Sequence, residues 1–256
     1  MSTSKLARLF SELVGTFALT AVVIAVTKNY GNPLFATISA AAAYAVLTSL
    51  FGHVSGAQFN PALTLGMFSM RKIKLVETVL FVAMQAVGAV LAWKLFEFLS
   101  PDRLITSVAN EFDWKVLVAE LVGAAVFGMG YAAVLYRKFT GGHAGATVGL
   151  ALFVGSVASA VVIINRELVT GILNPAVAIG VGYRPDSQSY LAYFFGPVIG
   201  AVVGMNLYRM FFSKDVEVKA ASSVRSSTVA SVSAKKPAAK KATAKKTTRR
   251  TTAKKK

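Results

Sequence analysis

Two stretches of this 256-residue chain carry residue types whose spacing could do chemistry: Ser55-Gly56-Ala57-Gln58-Phe59-Asn60-Pro61-Ala62 and Thr170-Gly171-Ile172-Leu173-Asn174-Pro175-Ala176. Each is a short polar break among apolar residues, with Asn-Pro-Ala at the point where a new helix could begin. Proline fixes φ near the helical value and is tolerated in the first turn, so Asn60 and Asn174 fall at N-cap positions. A helix N-terminus presents unpaired backbone N–H groups and partial positive charge. Two such ends meeting head to head in a membrane let the Asn amides donate to a passing water while the facing dipoles repel cations. That is the chemistry of a selective passage. No nucleophile–base arrangement stands out, and His53 and His143, without cysteine or a nearby carboxylate cluster, offer no metal site. The chain therefore reads as a non-enzyme with no cofactor.

Composition points to the elements that must hold these stretches. Hydrophobic residues make up 55% of the chain, there is no cysteine, and the formal charge is +17. Residues 213 to 256 hold 14 Lys/Arg against 2 acids, so most of the charge sits in a terminal segment and the body, residues 1 to 212, is a membrane protein. Without cysteine there is no disulfide framework and no thiol site. The apolar run from Leu9 to Val26 follows Lys5 and Arg8 like a signal peptide, but it is long enough to span and lacks a convincing cleavage site, so it reads as a retained span.

Six spans are expected near residues 7 to 27, 34 to 54, 75 to 99, 114 to 136, 143 to 164 and 189 to 212. Segments 60 to 69 and 174 to 182 are too short to cross and read as re-entrant half-helices. Glu12-Leu13-Val14-Gly15 recurs as Glu120-Leu121-Val122-Gly123, so repeats of about 1 to 105 and 106 to 212 each carry three spans and one half-helix. Three is odd, so the second repeat is inverted and the half-helices enter from opposite faces. Lys5, Arg8, Arg71, Lys72, Lys74, Arg137, Lys138 and Lys214 fall on one side, against Lys28, Arg103, Lys115, Arg166 and Arg184 on the other. This bias puts both termini in the cytosol. Gly145 with Gly149, and Gly196, Gly200 and Gly204, are spaced for close helix approach.

Glu12-x-x-Gly15-Thr16, Gly52-His53-Val54-Ser55-Gly56-Ala57-Gln58-Phe59-Asn60-Pro61-Ala62-Leu63-Thr64, Gln85-x-x-Gly88-Ala89, Thr170-Gly171 before Asn174-Pro175-Ala176, and Gly196-Pro197-x-x-Gly200-Ala201 occur in that order. Together they resemble the aquaporin, or major intrinsic protein, family over residues 1 to 212. The resemblance implies an all-α membrane protein of six transmembrane helices and two re-entrant half-helices. It also implies a homotetramer, one pore per subunit, passing water or small uncharged solutes down their gradients. By the same resemblance Asn60 and Asn174 are the central pore donors, and the carbonyls of Gly56, Ala57, Gln58, Thr170, Gly171 and Ile172 form an acceptor ladder.

Glu12 and Glu120 lie inside spans, where a carboxylate is expensive and often functional, so a proton-coupled transporter has to be weighed. Their symmetric placement favours scaffolding, with each accepting from backbone N–H groups of a re-entrant loop, and the family uses such glutamates in this way. The outer constriction departs from the family pattern. Where members commonly have Arg three residues after the second pore Asn, this chain has Val177; Ala40, Val162 and Gly171 complete a set that is small or apolar throughout. The consequence is a wider constriction with no fixed cation. Width favours glycerol or urea, while missing donors raise the cost of dehydrating any polar solute. Ala178 and Tyr193-Phe194 stand where glycerol facilitators usually have Asp and Pro-Leu, and the loops are short, which leans toward water. The reading is a water channel, expected at the plasma membrane, that also leaks small neutral solutes, with a solute-selective facilitator for glycerol, urea or ammonia as the alternative.

The segment from 213 to 256 is rich in Ala, Ser, Thr and Lys, with little to bury, so disorder is expected. Anionic lipid headgroups are the natural partner for its paired bases. Nucleic acid fits poorly, since no aromatic is available to stack on bases.

Overall fold

In a computed structural model, residues 4–100, 111–162 and 171–233 are described, with side-chain detail for 4–100, 111–160 and 171–213. Among the described residues eight helices follow one another: α1 Lys5–Tyr30, α2 Pro33–Phe51, α3 Pro61–Ser69, α4 Leu75–Leu99, α5 Trp114–Arg137, α6 Gly141–Val162, α7 Pro175–Gly180 and α8 Gln188–Ser233. Among the described residues six stretches are long and apolar enough to cross a membrane, those in α1, α2, α4, α5, α6 and the Gln188–Ser213 part of α8. α3 and α7 have 9 and 6 residues and cannot. Large apolar side chains such as Leu80, Leu91, Leu150, Val154, Ile199 and Val203 face outward, as a lipid solvent requires.

Each helix begins and ends for a local reason. Ser4 caps α1 through its hydroxyl, and Gly31 closes it in the left-handed region at φ 60°. Asn32 then caps α2, with Pro33 in its first turn. α2 stops at Phe51, three residues before the expected end. Gly52 to Ser55 form a tight turn instead, with Val54 and Ser55 N–H donating to the Phe51 carbonyl, and this releases an extended stretch that reaches the start of α3. α7 is shorter than the expected 174 to 182, because the chain turns at Val181 and Gly182, the latter at φ 111°.

Packing between spans is carried by small residues. α4 lies on α1, where Gly88 meets the Leu13 carbonyl. The inverted counterpart is α8 on α5, where Gly196, Gly200 and Gly204 face the carbonyls of Leu117, Leu121 and Ala125 in turn. α2 and α6 meet through Gly145 and Gly149 against the Ala45 and Ala41 carbonyls. With no hydrophobic drive between helices in lipid, such close approach supplies dispersion contact.

Residues 217–256 separate from the body as a unit of their own. Composition predicts disorder from 213, yet helical backbone continues to Ser233. The reason is that extending an existing helix avoids the nucleation cost, and no Gly or Pro intervenes between Gly204 and Pro237. Residues 234–256 lie outside the described residues.

Candidate functional site

The two Asn-Pro-Ala stretches meet tip to tip. Asn60 caps α3 in extended conformation, its Oδ1 accepting from the Ala62 N–H at 2.8 Å; Asn174 caps α7, accepting from Ala176 at 3.0 Å. Pro61 and Pro175 occupy the first helical positions. Each Asn then reaches across. Asn60 Nδ2 donates to the Leu173 carbonyl at 2.8 Å, and Asn174 Nδ2 donates to the Phe59 carbonyl at 2.9 Å. An Asn amide has two N–H bonds, so each keeps a second donor beyond this crossed pair.

The residues just before each Asn are held in an unusual backbone. Ala57, Phe59 and Leu173 adopt φ of 54°, 44° and 53°. Left-handed backbone costs a non-glycine residue roughly 1–2 kcal/mol. Two carboxylates offset it. Glu12 accepts from the Gln58 and Phe59 N–H groups at 3.0 and 2.7 Å, and also from Ser55 Oγ and Gln85 Nε2. Glu120 accepts from the N–H groups of Gly171, Ile172 and Leu173 at 2.7, 3.0 and 2.7 Å. The hydrogen bonds that these loop N–H groups make to the two carboxylates act against that cost. The glycine three residues after each glutamate completes the fit. Gly15 lies against the Phe59 ring and Gly123 against Leu173 Cδ2, so a side chain at either position would expel the residue before the Asn.

With N–H groups turned to the glutamates, the carbonyls of these loops face the other way. Several already carry a donor: Gly56 O accepts from Tyr131 Oη at 2.7 Å, Gln58 O from Tyr44 Oη, and Gly171 O from Ser156 Oγ at 2.8 Å. Ala57 is buried, Ile172 lines the passage, and Thr170 lies outside the described residues.

A chamber of about 230 Å³ leads from the α1–α2 turn, at Gly31 to Pro33, down to Asn60 and Asn174. Ala40, Gly171 and Val177 all line it; Val162 ends α6, and its side chain is not described. None of the described lining residues is charged. Tyr183 stands at its rim and shares a 2.9 Å hydroxyl contact with Tyr193; burial pushes the Tyr183 phenol above its ordinary pKa, so it remains a neutral hydrogen-bonding group. His143 stacks on Phe139 at 3.7 Å, and among the described residues no group of three His, Cys, Asp or Glu could hold a metal.

Sequence reasoning missed Tyr44, Phe127, Tyr131 and Ser156. Helical spacing carried a signal for two of them: Tyr44 lies four residues after Ala40, and Phe127 seven after Glu120, so each shares a face with a candidate already singled out.

Inverted triplets of spans, each with a half-helix ending at its partner's tip, define a membrane channel of the aquaporin type. The major intrinsic protein family model matches residues 2–208, and the chain belongs to that family. It is 28% identical to Aquaporin Z of Photorhabdus laumondii over 82% of this chain and 99% of that protein. It is 27% identical to Nodulin-26 of Glycine max, over 80% of this chain and 78% of that protein. Against human Aquaporin-4 the identity is 25%, over 68% of this chain and 55% of the relative. An X-ray structure of the aquaglyceroporin from Plasmodium falciparum has the same fold, with a TM-score of 0.65 at 19% identity over 84% of this chain and all of that one. The protein is thus an integral, multi-pass membrane channel and not an enzyme.

Proposed function

We propose that this channel passes water, together with small uncharged solutes of the size of glycerol or urea, passively through a pore centred on Asn60 and Asn174. The observation that carries the reading is the uncharged chamber above the Asn pair, bounded by Ala40, Gly171 and Val177 in place of a fixed cation. Rejection of ions then falls to the facing half-helix dipoles and the Asn amides. Coupled transport is disfavoured, because both oxygens of Glu12 and of Glu120 accept hydrogen bonds from backbone or side-chain donors that they hold in place.

The wider assembly follows the family. Four copies form a tetramer with one pore each, in a plasma membrane with both termini cytosolic, and the basic segment after residue 213 meets anionic headgroups at about 1 kcal/mol per base near the surface.

Val177→Arg tests the reading. In proteoliposomes the variant is expected to retain water permeability and to lower glycerol and urea entry about tenfold relative to water, since it adds bulk and a fixed charge. Unchanged ratios among the three permeants would remove Val177 from the constriction.

A further inference from the structure

One side chain at the floor of the chamber is not accounted for by the outer constriction. Tyr44 lies one helical turn inward of Ala40 on the same face of α2, about 6 Å further along the passage. Its ring backs the chamber and yet has no solvent exposure. It is wedged edge-on against Phe127, with centroids 5.5 Å apart at 81°, and tilted against Phe59 at 5.8 Å. Asn60 and Asn174 line the same chamber and yet are only 0% and 3% exposed, so the passage is tight where Tyr44, Phe127 and the Asn pair meet.

We propose that Tyr44, and not the small residues of the outer constriction, is the specificity-determining barrier of this channel, with its phenol standing across the passage and latched by its hydroxyl to the Gln58 carbonyl. The inference rests on the channel reading above and names the residue that controls that passage.

The latch has the right chemistry. A phenol O–H is a single donor, as a permeating water is at a carbonyl, and Tyr44 Oη donates to one of the carbonyls expected to form the acceptor ladder. Tyr131 Oη does the same at Gly56. Two of the three inner-loop carbonyls in that ladder therefore already hold a protein donor. Meanwhile the Gln58 side-chain amide is fully buried, and neither its oxygen nor its nitrogen has a partner among the described residues. A buried amide without partners is costly, and water is a partner able to satisfy both ends. When the Tyr44 phenol swings off the Gln58 carbonyl, a carbonyl acceptor is freed and water gains access to the amide. The opened arrangement would exchange the latch for hydration of the Gln58 carbonyl and amide.

The test is stopped-flow osmotic shrinkage of proteoliposomes containing the full chain, comparing wild type, Tyr44→Phe and Tyr44→Val at matched protein density, each checked for its native size in detergent. Tyr44→Phe keeps the ring volume and removes only the latch, so it guards against a packing failure in Tyr44→Val. Its water permeability is expected to rise about fivefold, the factor that one net hydrogen bond commands in an equilibrium. Tyr44→Val removes the ring and is expected to raise water permeability about tenfold and to speed glycerol entry. A rise in Tyr44→Val alone would keep the ring as barrier and overturn the latch. Wild-type flux in both folded variants would overturn the inference while leaving the channel reading intact. Flux at the level of protein-free vesicles in wild type and variants alike would overturn both.

Discussion

At the scale of single residues, Glu12 and Glu120 do for this passage what no neutral side chain can. Each gathers backbone N–H groups that an irregular loop at membrane depth would leave unpaired, and thereby holds Phe59 or Leu173 in a left-handed backbone just before the capping Asn. Glu120→Leu leaves three N–H groups without an acceptor and is expected to destabilise the fold by about 3 kcal/mol or more. Thermal unfolding in detergent, followed by loss of the monodisperse species, would show a lowered midpoint; an unchanged midpoint would mean that the loop is held by something other than the carboxylate. The glutamates and the Asn pair were legible in the sequence because each occurs twice in matching contexts. Tyr44 and Tyr131 were not, since neither has a counterpart in the repeat, and their contacts depend on which loop carbonyl the fold brings to each hydroxyl. The crossed bonds from Asn60 to Leu173 and from Asn174 to Phe59 join positions more than a hundred residues apart, and only the folded chain brings them together.

Among the elements, the long spans were the most legible, since a run of about 20 apolar residues allows little else. Their ends were less so. α2 stops at Phe51 because the re-entrant stretch needs length to reach the chamber floor, and that demand comes from the tertiary structure. α8 runs past residue 213 because an existing helix propagates through a segment too polar to have started one. Glycine spacing was visible along α8, but its partner was not: the row from Gly196 to Gly204 lies on the α5 backbone, where a Cβ at Gly196 would sit 2.6 Å from the Leu117 carbonyl oxygen. A Cβ at Gly200 would sit still closer to the Leu121 carbonyl oxygen. Gly200→Val should therefore force α8 away from α5 and cost about 2 kcal/mol or more, whereas Val203→Leu, on the outward face, should be nearly neutral. Unfolding midpoints of the two variants measured side by side decide this, and equal midpoints would show that α8 does not depend on close approach.

For the whole molecule, the proposed function is a route open to neutral molecules and closed to charge, built from two repeats of opposite sense. Two caps meet tip to tip, their helix N-termini face each other, and the chamber above them carries no described charged group to attract or bind an ion. The most direct measurement of that claim is stopped-flow light scattering of proteoliposomes containing the full chain, challenged with an impermeant osmolyte while a trapped dye reports internal pH under an imposed pH gradient. The account predicts shrinkage faster than in protein-free vesicles, indifferent to the gradient, with internal pH drifting no faster than in the protein-free control. Shrinkage at the protein-free rate, or an internal pH that follows the gradient only when the protein is present, would contradict it.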